Sequence, residues 1–164
     1  MAEFVVYEEE FQQIKAILNW LKDASNSKLV FLVDRNGSQI AFQGDVDNID
    51  TTSLASLTAG NVAATDGLAK LLGEPEFKVL HHEGVQDNIY ISCIGNRIIL
   101  VVIFDNRSSL GLVKLRVRKA TAELEGVFNK IMEKLEKEKE AYGAGLESPF
   151  AEITDEDIDS LFSE

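Results

Sequence analysis

Along the first 25 residues the apolar positions recur every three or four places. Phe11, Ile14, Ile17, Leu18 and Leu21 fall on one side of residues 8–24, which predicts an amphipathic helix. The period then changes. Leu29 to Val33 is an unbroken apolar run, and Asn36-Gly37 is a two-residue hairpin signal. Ile40 and Phe42 alternate with polar neighbours, so the returning strand reads as half-exposed and at an edge. Three more strands are expected at about 77–84, 88–95 and 97–105. Ile98 to Phe104 is apolar at every position, which calls for cover on both faces, and Leu29 to Val33 has the same character. These two strands therefore pair at the centre. With short turns making each hairpin antiparallel, the simplest strand order is 2-1-5-4-3.

A long helix follows Asn106-Arg107-Ser108-Ser109, with Leu124, Val127, Phe128, Ile131 and Leu135 as its apolar stripe and a mixed-charge exit, EKLEKEKEA. The order of elements is α-β-β-α-β-β-β-α, an α/β (α+β sandwich) class built on a five-stranded antiparallel sheet. Tyr142-Gly143-Ala144-Gly145 then reads as a break. The expected organisation is one domain over 1–141 and an acidic tail over 142–164, in which Ser148-Pro149 resets the chain and Thr154 caps a last short helix, DEDIDSLF.

The segment between the second and third strands is the least ordinary. Residues 50–73, DTTSLASLTAGNVAATDGLAKLLG, open on an Asp/Thr N-cap signal and close on Gly73, with Pro75 just beyond. Leu54, Leu57, Ala64, Leu68 and Leu71 recur at helical spacing and are expected to face the core. The second face would hold Ala55, Thr58, Ala59, Val62, Ala63 and Gly67, where a solvated helix would show Lys and Glu. Gly60 and Gly67 each cost a helix about 1 kcal/mol relative to Ala, so something should offset them. A helix with a leucine side and a smooth side wants two partners, and the smooth side is read as a surface for another protein.

Charge narrows the partners. The net charge is −12, of which seven acids and no Lys or Arg lie in residues 142–164. The remaining 141 residues therefore sum to about −5, with no basic footprint for a nucleic-acid backbone. Cys93 is the only cysteine, which points to a reducing compartment. The opening MAEFVVYEEEF has no signal-peptide pattern, and no apolar run approaches the ~20 residues of a membrane span. A cytoplasmic protein is expected.

Candidate chemistry is sparse. His81, His82, Glu83 and Cys93 are the only metal-like cluster, but adjacent strand histidines point to opposite faces and no zinc spacing appears. These read as edge-strand residues with Cys93 in the core; no metal and no cofactor are expected. Phosphate loops, nucleophile triads and paired catalytic carboxylates are missing from the sequence. Arg107 could act as a finger on a GTPase, but its neighbours Asp105, Asn106, Ser108 and Ser109 suggest a strand-to-helix junction in which it pairs a carboxylate. Lys114, Arg116, Arg118 and Lys119 read first as a salt-bridged surface and otherwise as a dock for an acidic partner or the acidic tail. In that tail Phe150, Ile153, Ile158, Leu161 and Phe162 combine with the acids in the manner of a segment that folds on a partner or on its own domain.

Together YEEEF, VFLVDRNG, DTTSLASLTAGNVAA, GLAKLLGE, VVIFDNRSSLGLV and SPFAEITDEDIDSLFSE resemble the roadblock (dynein light chain) superfamily. More closely, they resemble its bacterial branch, which partners an MglA-like, Ras-like small GTPase. The resemblance implies a roadblock/profilin-like sheet with two helices on one face and the second helix on the other. It implies a homodimer through the second helix and third strand. It also implies a non-enzymatic regulator of cell polarity and motility, with a cell pole as a candidate location. Such a regulator accelerates GTP hydrolysis by reorganising the GTPase's switch regions without an arginine finger. The implied GTPase contacts are Ala63 and Gly67, with Thr58, Ala59, Val62, Asp66 and Lys70 beside them, and in the tail Phe150, Ile153, Ile158, Leu161 and Phe162. A roadblock-type scaffold that binds a GTPase without changing its turnover is the other reading.

Overall fold

The computed structural model describes residues 6–144. Eight elements follow in the expected order: α1 (Glu8–Ala24), β1 (Leu29–Asp34), β2 (Gln39–Gly44), α2 (Thr51–Leu72), β3 (Val79–Glu83), β4 (Asn88–Ile94), β5 (Ile98–Phe104) and α3 (Leu110–Ala144). Glu8, Glu9 and Glu10 occupy the first turn of α1, where the helix dipole favours negative charge. Ile14, Leu18 and Leu21 are fully buried at helical spacing.

The five strands form one antiparallel sheet in the order β2-β1-β5-β4-β3. Every residue of β1 and β5 is buried, as their unbroken apolar runs require. Strand β1 lies between β2 and β5 in register Leu29↔Ile103 through Asp34↔Ile98, and β4 joins β5 to the outer β3. At the β1–β2 turn the Asp34 carboxylate accepts from the Asn36 N–H at 2.7 Å, and Gly37 takes φ 90°. A Cβ at Gly37 would sit 3.3 Å from the Ser56 Cα of α2, so the tight turn and the close approach of α2 both call for glycine.

Gly44 carries a sharper constraint. Its φ is 126°, and a Cβ there would overlap the Lys28 carbonyl and lie 2.9 Å from the Leu29 Cα. Gly44→Ala is expected to destabilise the protein by about 2–4 kcal/mol, from backbone strain plus a clash with immovable main chain. Chemical denaturation checks this.

The two sheet faces are covered differently. Leu29, Phe31, Val33, Ile91, Ile99, Val101 and Ile103 form a core cluster with Ala55, Ala59 and Val62 of α2. Helix α1 and the first part of α3 cover the opposite face. They are tied to each other where Asn26 Nδ2 donates to the Arg107 carbonyl at 2.6 Å and where Lys119 Nζ sits 4.6 Å above the Trp20 ring. Val113, Val117, Ala120 and Leu124 are the buried stripe of the first half of α3.

Helix α2 is capped at both ends as its sequence predicts. The Asp50 carboxylate accepts from the Ser53 N–H at 3.0 Å, and Gly73 closes the helix at φ 75°. Hydrogen bonds from the Ser53 hydroxyl and N–H hold the Asp50 carboxyl below its ordinary 3.8. A depressed folded-state pKa means that the cap stabilises fully above pH 3.8 and is lost as pH falls through the folded value. Asp50→Ala is therefore expected to lower the Tm at pH 7, with the difference from wild type shrinking in acid scans below pH 3.8.

The chain divides into two compact units, Met1–Phe128 and Asn129–Glu164. The first holds the sheet, α1, α2 and the start of α3. Within its described residues the second is the rest of α3, mostly exposed and charged.

Candidate partner-binding surface

Helix α2 is rotated relative to the sequence expectation. Its buried residues are Ala55, Thr58, Ala59, Val62, Thr65 and Ala69. Leu57, Leu68, Leu71 and Leu72 point outward, 73%, 57%, 84% and 71% exposed. The expectation that Leu57, Ala64, Leu68 and Leu71 face the core is corrected, and Leu54 alone of that stripe packs against the α2-side cluster. The physical reason is in the opposing sheet. Phe31, Ile91, Ile99 and Ile103 already fill that face with bulk, so a helix lying close above it must present small side chains. The two threonines tolerate burial because Thr58 Oγ1 donates to the Leu54 carbonyl at 2.7 Å and Thr65 Oγ1 to the Asn61 carbonyl at 2.9 Å.

This rotation separates the proposed contact residues. Thr58, Ala59 and Val62 are 6%, 8% and 3% exposed, packed under α2 against the protomer's own sheet, and so do not lie on its surface. Ala63, Gly67 and Lys70 are exposed along one flank. Asp66, beside them, is half-buried and accepts from Arg35 Nη1 at 2.7 Å, which ties α2 to the β1–β2 turn. Phe150, Ile153, Ile158, Leu161 and Phe162 lie outside the described residues.

The outer face of α2 is continuous with a free sheet edge. Leu57, Gly60, Ala64, Leu68 and Leu71 lie on that face. No neighbouring atom lies within 4 Å of where a Cβ would stand on Gly60 or Gly67, so no packing within the protomer requires glycine at either position. Beside this face runs β3, paired among the described residues only with β4 and exposed at every residue except Leu80. Asn61 Nδ2 donates to His82 Nε2 at 2.8 Å, joining helix and strand into one surface. Sequence reasoning missed the leucines as surface residues, although the two unexplained glycines among them were a signal.

The remaining candidates sit elsewhere. His82 bonds α2, whereas His81 points to the opposite face, stacked 6.2 Å from the Phe104 ring and donating to Asn88 Oδ1 at 3.3 Å. Burial pushes the Cys93 thiol up, which makes it a poor nucleophile. Among the described residues no three His, Cys, Asp or Glu side chains gather to hold a metal. Arg107 Nε donates to both Asp105 oxygens, at 3.0 and 3.2 Å, the carboxylate pairing expected of the strand-to-helix junction. That contact holds the Asp105 carboxyl below its usual range and raises the guanidinium. The salt bridges expected around Lys114, Arg116, Arg118 and Lys119 are not formed among the described residues. No helix among the described residues is long and apolar enough to cross a membrane.

A five-stranded antiparallel sheet of this order, with three helices among the described residues, agrees with the family comparison. The Roadblock/LC7 domain matches residues 14–104. The chain belongs to the Roadblock/LC7 family. Within this family it is similar to Myxococcus xanthus MglB, at 57% identity and a TM-score of 0.74, covering 77% of this chain and 96% of that one. The gliding protein MglB from Thermus thermophilus has a TM-score of 0.74 at 30% identity, covering 79% of this chain and 98% of that one. An MglB with a tetrameric arrangement gives 0.75 at 29%, covering 80% and 98%. A comparison with curated protein sequences found no match. The roadblock domain thus accounts for the sheet, α2 and most of α1, and the family comparison agrees with the resemblance seen in the sequence.

Proposed function

We propose that this roadblock protein is a homodimeric GTPase-activating regulator of a Ras-like, MglA-like small GTPase, acting in cell polarity or motility, with a cell pole as its place of action. The observation that carries the proposal is the outward apolar face of α2 beside β3, whose outer edge is unpaired among the described residues. An exposed leucine row with small residues between is costly to leave in water and well suited to close packing of a second copy. In this reading Leu57, Gly60, Ala64, Leu68 and Leu71 with β3 form the dimer contact. Ala63, Gly67 and Lys70, with Asp66 at the margin, form the GTPase contact on the adjoining flank. Phe150, Ile153, Ile158, Leu161 and Phe162 supply a second GTPase contact.

The chemistry stays in the GTPase. Arg107 is held by Asp105, so it is poorly placed to serve as an arginine finger. A rigid helix with short side chains can instead favour one switch conformation over another, which is sufficient to shift a population and raise turnover. Multiple-turnover GTP hydrolysis by the cognate GTPase should rise sharply when this protein is added. Stable binding with unchanged hydrolysis would favour a scaffold, and absence of both would reject the proposal.

A further inference from the structure

Helix α3 leaves part of the sheet uncovered on the face opposite α2. Between its flank and strands β3 and β4 lies a groove of ≈ 420 Å³. Val79, Tyr90 and Val117 give it an apolar floor, with Val79 42% exposed. Lys78, Lys114 and Arg118 line it, and none of the three has an ion-pair partner among the described residues. Lys28, Arg35 and Arg107, by contrast, are paired with Asp87, Asp66 and Asp105. The Thr121 hydroxyl is buried along the wall with no hydrogen-bond partner among the described residues. Glu76 and Glu125 also line the groove, Glu125 standing about 10 Å beyond Arg118 along the helix.

The α3 wall of the groove carries Lys114 and Arg118, and the sequence 108–122 around them holds no acid, in a chain of net charge −12. Such a local excess of positive charge calls for an anionic occupant, and the apolar floor calls for one that also carries a hydrocarbon or aromatic side chain. A membrane surface is less suited, because the apolar positions lie within a concavity and not on a ridge.

We infer that the groove between α3 and strands β3–β4 is a docking site for an acidic peptide segment bearing large apolar side chains. Lys114 and Arg118 receive its carboxylates, and an apolar side chain enters between Val79, Tyr90 and Val117. Lying across the sheet from α2, this site is distinct from the helix surface proposed to dimerise and to bind the GTPase.

The test uses a fluorescein-labelled peptide of residues 148–164, which has the required chemistry, titrated with the full-length protein. Saturable binding with a Kd tighter than about 100 µM is expected. Lys114→Glu with Arg118→Glu should weaken it about tenfold or more, and high salt should weaken it too. Both residues are exposed, so far-UV circular dichroism and Tm should match wild type. Lys22→Glu, on α1 and outside the groove lining, should leave binding unchanged. A peptide with Phe150, Ile153, Ile158, Leu161 and Phe162 replaced by Ser should also bind weakly. Four results would overturn the inference: no saturable binding, equal binding by the double variant, full displacement by inorganic phosphate at equal ionic strength, or binding confined to phosphatidylserine vesicles.

Discussion

Replacing Leu57 and Leu68 with glutamate is expected to turn the protein into a monomer without unfolding it. Both side chains are largely exposed in the protomer, and Glu is nearly as good a helix former as Leu, so the isolated fold loses little. In a dimer built on this face, four leucines would leave the interface and four carboxylates would take their places. Fully burying one leucine is worth about 1.5–3 kcal/mol, so the loss should exceed about 4 kcal/mol, or roughly a thousandfold in the dimer Kd. Light scattering on a sizing column reads the result. A variant that keeps its assembly would show that this helix face serves some other contact.

Gly67→Arg should separate folding from partner binding. A Cβ at Gly67 meets nothing within 4 Å, and an interior helical glycine gives away about 1 kcal/mol relative to a good helix former. The substitution is therefore expected to raise the Tm slightly. It should nonetheless weaken association with the cognate GTPase at least about 100-fold, because a long cation would stand where close packing is proposed. Ala63→Arg, exposed on the same flank, should weaken the association likewise, without the gain in Tm. Stimulated hydrolysis should vanish in both variants while the GTPase's intrinsic rate is untouched. Loss of folding would instead show that the flank is interior.

Much of the architecture was legible because each element carries a distinct local signal. The unbroken runs of β1 and β5 announce central strands, Asn36-Gly37 announces the hairpin, and Asp50 and Gly73 bracket α2 within a residue. The rotation of α2 was not legible. Both of its faces are apolar, so periodicity alone cannot say which one the sheet receives. The usual assumption that the larger side chains go inward fails here because the sheet is already lined with Phe31, Ile91, Ile99 and Ile103. Small residues complement that surface, and the leucines are left on the outer face.

Thr58 and Thr65 compounded the problem, since a sequence reader counts them as polar. Their hydroxyls bond back to carbonyls four residues earlier, which removes the penalty for burying them. In the sequence Asp66 reads only as an implied partner contact, and the pairing that half-buries it lies at Arg35, 31 residues away. Contacts of that kind carry no local sequence signal. The unpaired cations of the α3 groove are the same problem in reverse. A run of positive charge suggests ion pairs, but only the fold reveals that Lys78, Lys114 and Arg118 form none among the described residues.

Whether the outward face of α2 is an interface can be read from sedimentation of the unmodified full-length protein across a concentration series. At micromolar concentrations the sedimenting species should have at least twice the 18.2 kDa chain mass. A particle that stays at 18.2 kDa up to about 100 µM, a concentration at which even a weak specific pair would form, would leave the leucine face without a second copy and refute the dimer.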